Sequence, residues 1–134
     1  MRGRYCARVT MRAEISEVAG RVVVVVSGAA DLSTVPALQN ALVRAVLEHP
    51  GETIAVDLDA VDVLDDPALG ILLGAAGRAR RRGGDLVIVC RHDILRDQFV
   101  LTGLDRAVRV LSSLTAADRA EIVPAAENDR PVRP

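Results

Sequence analysis

The chain has 134 residues, 50% apolar and 26% charged, with a formal net charge of −1, which describes one domain able to bury a core without metal or disulfide staples. That balance leaves no basic field for nucleic acid or an anionic membrane, and Tyr5 and Phe99, the only aromatics, offer no platform for stacked bases or sugars. All 17 basic residues are arginine, so Schiff-base chemistry, a lysine general base and a phosphate-loop lysine are excluded.

Residues 1–11 carry Arg2, Arg4 and Arg8 without periodicity and read as an extension preceding a domain over 12–123. RAEISEV at 12–18 and RVVVVVS at 21–27 flank Ala19–Gly20 and predict a hairpin, and consecutive valines suit a strand covered on both faces. Next, Ser33 or Thr34 can cap a helix over about 35–48, with Pro36 in its first turn, Leu38, Leu42, Ala45 and Val46 at helical spacing, and Pro50–Gly51 beyond its end. TIAVDLD at 53–59 predicts a strand. Asp66 as cap and Pro67 behind it open a second helix that Gly83–Gly84 stops near Arg82. DLVIVC at 85–90 is a further strand, 93–102 a third helix with Ile94, Leu95, Gln98 and Leu101 arranged around Phe99, and AVRVLS at 107–112 the last strand. A short helix at 115–123 and a disordered tail at 124–134 complete the chain. The order ββαβαβαβ demands an α/β fold, one mixed and mainly parallel sheet with helices packed against it.

Asp57, Asp59, Asp62, Asp65 and Asp66 form the most chemical-looking run. Asp57 and Asp59 superficially fit the start of a phosphotransferase motif that uses magnesium. That chemistry needs a later cation, normally lysine, so the run reads instead as solvated loop acids, with no metal or other cofactor expected. Gly70, Gly74 and Gly77 share one side of the second helix and imply close approach to the sheet or a neighbouring helix, or else a partner pressing on the backbone. Arg78, Arg80, Arg81 and Arg82 complement the negative end of that helix. His49, His92, Cys6 and Cys90 stand in no catalytic or metal spacing, and the thiols, with no apolar leader, read as cytosolic and reduced. No apolar run is long enough to insert in a membrane.

VVVVVSGAADLSTVPALQNAL, IAVDLDAVDVLDDPALGILLGAAGRARRRGGDLVIV and LTGLDRAVRV, taken in order, resemble the STAS domain family typified by bacterial anti-sigma-factor antagonists. The resemblance spans roughly residues 12–112 and implies the topology above. In the family a Ser or Thr in D-[ST]-x-G-L-G begins the second helix and is phosphorylated by an anti-sigma factor that is itself a kinase; phosphate there prevents binding. The matching stretch here is Asp65-Asp66-Pro67-Ala68-Leu69-Gly70, so Asp66 occupies the acceptor position and has no hydroxyl for a serine kinase to phosphorylate. It either caps the helix or places a permanent negative charge where regulation places phosphate. The resemblance implies a non-enzymatic interaction domain, an anti-sigma-factor antagonist or a non-phosphorylatable relative, whose partner is an anti-sigma factor of the serine-kinase type and not nucleic acid. The partner face it implies comprises Asp31, Ser33, Thr34, Asp65, Asp66, Pro67 and Leu69, with the apolar first turn supplying contact area. Two alternatives stand beside it: a STAS-like accessory subunit of a membrane transporter, and an acid-rich phosphatase-like enzyme.

Overall fold

In the computed structural model, which describes residues 11–113, strand β1 (Arg12–Val18) turns back into β2 (Arg21–Ala30) through Ala19 and Gly20, at φ 53° and 79°. Two successive left-handed residues make the turn whose twist matches an antiparallel pair, which begins here at Val18 opposite Arg21. From β2 onward every neighbour is parallel: β3 (Thr53–Leu64), β4 (Asp85–Val89) and β5 (Arg109–Leu111) follow in sequence order across a five-stranded sheet. The crossovers are helices α1 (Val35–Glu48), α2 (Asp66–Arg81) and α3 (Asp93–Thr102), the last followed by a single turn, α4 (Leu104–Ala107). Strands laid down in one direction with right-handed crossovers place all these helices on one face.

Side-chain alternation confirms this layering. Val22, Val24 and Val26 of β2 join Ile54, Val56, Leu58, Leu86 and Ile88 under the helices, in one core with Leu38, Leu42, Leu72 and Phe99. Val23, Ala55, Val87 and Val89 point the other way into a smaller cluster. Val25 on that second face is exposed, so the valine run is covered on both faces only in part.

Several boundaries differ from expectation, each for a local reason. Met11 is buried in the main core and belongs to the domain, not to an extension. β3 runs on to Leu64, beyond the expected end at residue 59, because parallel pairing with β2 continues through two register shifts. Asp57, Asp59 and Asp62 are thus strand residues and not loop acids. Where a strand was expected from residue 107, the chain makes α4: Leu104 and Val108 are both buried, and the Val108 amide closes the turn on the Leu104 carbonyl at 2.9 Å. β4 stops at Val89, one residue short. The expected helix at 115–123 and tail at 124–134 lie outside the described residues.

The glycines of α2 are not at a close approach. A Cβ at Gly70 or Gly74 would meet nothing within 4 Å, and at Gly77 only the Arg81 guanidinium, at 3.5 Å. The packed side is made of Ala68, Leu69, Leu72, Ala75, Ala76 and Ala79. Gly84 is the close approach: a Cβ there would collide with the Glu52 carbonyl, where the turn into β4 lies against the start of β3 and the Asp85 amide donates to Glu52 O at 3.3 Å.

Candidate functional site

At the C-terminal edge of the parallel strands, the ends of β2 and β3 are tied together. Ala30 pairs with Leu64, and the Asp65 amide donates to Ala30 O at 2.9 Å. The loop that follows β2 and the start of α2 are therefore neighbours, which brings Asp31, Ser33 and Thr34 beside Asp65, Asp66 and Pro67.

The first loop is built on the Asp31 carboxylate. Its Oδ1 accepts from the Ser33 hydroxyl at 2.7 Å, the Ser33 amide at 3.0 Å and the Thr34 amide at 3.3 Å, a local turn that Asp forms readily. These bonds, the Ser33 hydroxyl above all, hold the Asp31 carboxyl below its ordinary value. A carboxyl pKa lowered by folding contributes stability that is present above the unfolded value and lost as pH falls through the folded one, so this anchor persists until the solution is acid. Thr34 is the residue before α1, but its hydroxyl does not cap that helix. It donates to Ala29 O at 2.8 Å and accepts from the Asp31 amide at 2.9 Å. Thr34→Val is isosteric and leaves both partners half-buried without it; a loss of about 1–2 kcal/mol is expected in denaturant melts, and an unchanged midpoint would mean that water replaces the hydroxyl freely.

The start of α2 corrects two expectations. Asp65, not Asp66, is the cap residue, in an extended conformation (φ −83°, ψ 166°), and its side chain makes no capping bond. The Asp65 carbonyl does the work, accepting from the Ala68 amide at 2.9 Å and the Leu69 amide at 3.2 Å. Asp66 is the first helical residue, exposed, with Pro67 after it. Leu69 turns inward and is 5% exposed, so it holds the turn on the core and has no side-chain area to offer a partner. Exposed apolar area comes instead from Leu32 and Val63.

Helix α3, expected over 93–102, forms there and adds a contact to the neighbourhood of α2 that its sequence does not mark. Of the residues placed around Phe99, Leu95 is buried in the core with it, whereas Ile94 and Leu101 are exposed. Gln98 reaches across from α3, its Nε2 donating to Leu64 O at 2.6 Å, and so fixes α3 beside the start of α2. Nothing in the local pattern marks a contact between residues 34 apart in the chain.

The remaining candidates have structural partners. Asp57 Oδ1 accepts from the Asp59 amide at 2.9 Å within β3. The Asp59 carboxylate accepts from the Arg91 amide at 2.7 Å and pairs with its guanidinium at 3.4 Å, while His92 Nε2 donates to Asp59 O at 2.6 Å. These acids brace β3 against the loop after β4. Among the described residues no group of three His, Cys, Asp or Glu is placed to hold a metal ion. Burial raises the Cys90 thiol above its ordinary value, which disfavours the reactive thiolate. Arg80, in the last turn of α2, is exposed but engaged: Nε donates to Asp85 Oδ1 at 2.8 Å and Nη2 to Ala107 O at 2.7 Å, joining the end of α2 to β4 and α4.

Residues 11–117 match the STAS domain family. The anti-sigma-F factor antagonist RsfB of Mycobacterium tuberculosis is 32% identical over 98 residues, which cover 71% of this chain and 76% of RsfB. The crystal structure of an anti-sigma factor antagonist from Mycobacterium paratuberculosis superposes with a TM-score of 0.75 at 31% identity, covering 83% of this chain and 93% of that one. The anti-sigma factor antagonist SpoIIAA in its unphosphorylated form shares the fold at a TM-score of 0.67 and 19% identity, over 82% of this chain and 96% of SpoIIAA.

Proposed function

The chain belongs to the STAS domain family, and on that premise we propose that it is an anti-sigma-factor antagonist that acts by binding and not by catalysis. It docks on an anti-sigma factor of the serine-kinase type in the cytoplasm and regulates transcription by partner switching. The observation that carries this reading is the Asp65 amide bond to Ala30 O at 2.9 Å. That bond sets the Asp31–Thr34 loop beside Asp65, Asp66 and Pro67 as one surface, at the position where the family resemblance locates partner binding. Relatives above 30% identity are named as antagonists, whereas the transporter-subunit reading has no comparable support. Nor has the phosphatase-like reading, since Asp57 and Asp59 are already engaged by backbone amides. Among the described residues no helix is long and apolar enough to cross a membrane.

Charge reversal tests the surface. Asp65→Arg alters an exposed side chain that makes no capping bond, so the fold should survive. Titrated with the purified anti-sigma factor from the same genome, it is expected to bind at least about ten-fold more weakly, some 1.4 kcal/mol. Arg81→Asp, at the far end of α2, is expected to leave Kd unchanged. The reverse pattern would place the interface at the arginine end.

A further inference from the structure

Strands β4 and β5 begin at Asp85 and Arg109, at the opposite edge of the parallel sheet from the Asp31–Asp66 loops. Reaching from there along α3, a cleft of about 630 Å³ lies between the end of α2, α3, the α4 turn and the start of β5, within the size range of small-molecule sites. Arg80, Arg96, Arg106 and Arg109 line it against two carboxylates, Asp85 and Asp105. In a chain of net charge −1, this is a local concentration of positive charge. Arg80 and Asp85 bond each other at 2.8 Å, and the other arm of Arg80 donates to Ala107 O at 2.7 Å, so the excess rests on the remaining three arginines against Asp105. Arg96 donates from Nη1 to Cys90 O at 3.0 Å, which positions its side chain without neutralising it. Among the described residues no carboxylate pairs with Arg96 or Arg106. The Arg106 guanidinium lies against the turn between α3 and α4, where Gly103 sits at φ 80° and a Cβ would come to 3.0 Å from Nη2. The same cleft has an apolar wall: Val100, 59% exposed, and half-buried Val110 flank the buried Phe99.

We propose that this cleft binds a small organic phosphate, a dianion carried on a compact apolar body. A guanidinium presents a planar fork of donors that matches phosphate oxygens, and it stays charged at any working pH. The excess of two positive charges among the lining side chains matches the charge of a phosphate monoester near neutral pH. A metal cation would meet like charge. Asp85 and Asp105 on the same walls limit the anion to a compact group, because an extended acidic peptide or a nucleic-acid strand would bring further negative charge against them. Val100 and Val110 offer contact that a ligand with an apolar body can use and a bare ion cannot. The cleft lies apart from the docking surface, and its occupation does not depend on the antagonist reading.

Phenyl phosphate is the probe, titrated calorimetrically into the full chain at pH 7.5, with thermal melts confirming that each variant is folded. It is expected to bind saturably, and about five-fold or more tightly than either inorganic phosphate, which lacks the body, or phenyl sulfate, which lacks the second charge. Arg106→Gln removes an exposed guanidinium that bonds no described residue, so the thermal midpoint should hold while binding weakens about ten-fold or more. Val100→Asp, also at an exposed site, should weaken it comparably by setting a carboxylate on the apolar wall. Arg82→Gln, which removes the same charge outside the cleft, should stay within about two-fold of the parent. If Arg106→Gln and Val100→Asp bind phenyl phosphate like the parent, the ligand sits elsewhere and the proposal fails. It fails also if inorganic phosphate binds as tightly as phenyl phosphate, since the apolar wall then has no part, or if the parent shows no saturable binding up to about 10 mM. A hexaglutamate peptide that displaces phenyl phosphate and binds more tightly would give the cleft to an acidic protein segment and overturn the proposal.

Discussion

Phe99→Ala is expected to destabilise the protein by about 3–5 kcal/mol and to lower its thermal midpoint by roughly 10–20 °C. Phe99 is fully buried, and it and Leu95 are the buried residues of α3. Truncation would leave a cavity where the helix layer is thinnest, at α3 and the single turn of α4, since only part of the surrounding structure can collapse into it. Stability of a domain this size is of order 5–15 kcal/mol, so the loss is a large share of the total. Phe99→Leu keeps most of the volume and should cost less than about 1.5 kcal/mol. Because α3 also carries Gln98 to the end of β3, the Ala variant should lose partner affinity even at temperatures where it remains folded. A midpoint shift below about 3 °C would show that α3 is held by something other than this packing.

The legible parts of the fold were those set by local chemistry. Helix α1 begins and ends where Pro36, the Leu38–Leu42–Val46 spacing and Pro50–Gly51 place it. The hairpin follows from Ala19–Gly20 between two β-rich runs. β3 was cut short because Asp is a poor strand former in isolation, whereas in the folded chain Asp57 satisfies its own strand's backbone and Asp59 holds Arg91 and His92. Those bonds depend on β3 and β4 already being neighbours. The candidate surface rests on the ordered family motifs, and the Ala30–Asp65 bond sets its two segments side by side, with Leu69 turned into the core. What motif and composition left open was helix phase. Leu69 and Leu73 are both apolar and one turn apart, yet the first is core and the second exposed. In α3, five apolar residues among ten permit more than one inward face, and only the position of β3 and Gln98 decides between them.

Asp66→Ser is expected to install a switch that the parent chain lacks. With a serine-kinase anti-sigma factor and ATP, the variant should take up one phosphate on Ser at this position, read by intact mass, and the phosphorylated form should bind at least about ten-fold less tightly than the unmodified variant. The parent, with Asp66 followed by Pro67, has no hydroxyl there and should bind constitutively. Two features argue that Asp66 does not itself imitate phosphate well enough to prevent docking. It carries one negative charge against about 1.5–2 for a phosphoserine, and a charge at an exposed helix start is worth only about 0.3–1 kcal/mol. The first turn also offers few donors: Pro67 has no N–H, and the Ala68 and Leu69 amides already bond Asp65 O at 2.9 and 3.2 Å. A carboxylate in that setting acts through the helix dipole and little else, whereas a dianion adds bulk at the surface and repulsion against Asp65. If the parent binds the anti-sigma factor poorly and Asp66→Ala restores binding, Asp66 is a built-in off state and constitutive docking is wrong. The other hydroxyls in the surface give a second check. Thr34 is occupied by Ala29 O and the Asp31 amide, and phosphate on Ser33 would sit against the Asp31 carboxylate that its hydroxyl now contacts at 2.7 Å. Kinase-dependent phosphate on Ser33 or Thr34 of the parent, with release of the partner, would therefore show that the switch has moved along the surface and not been lost.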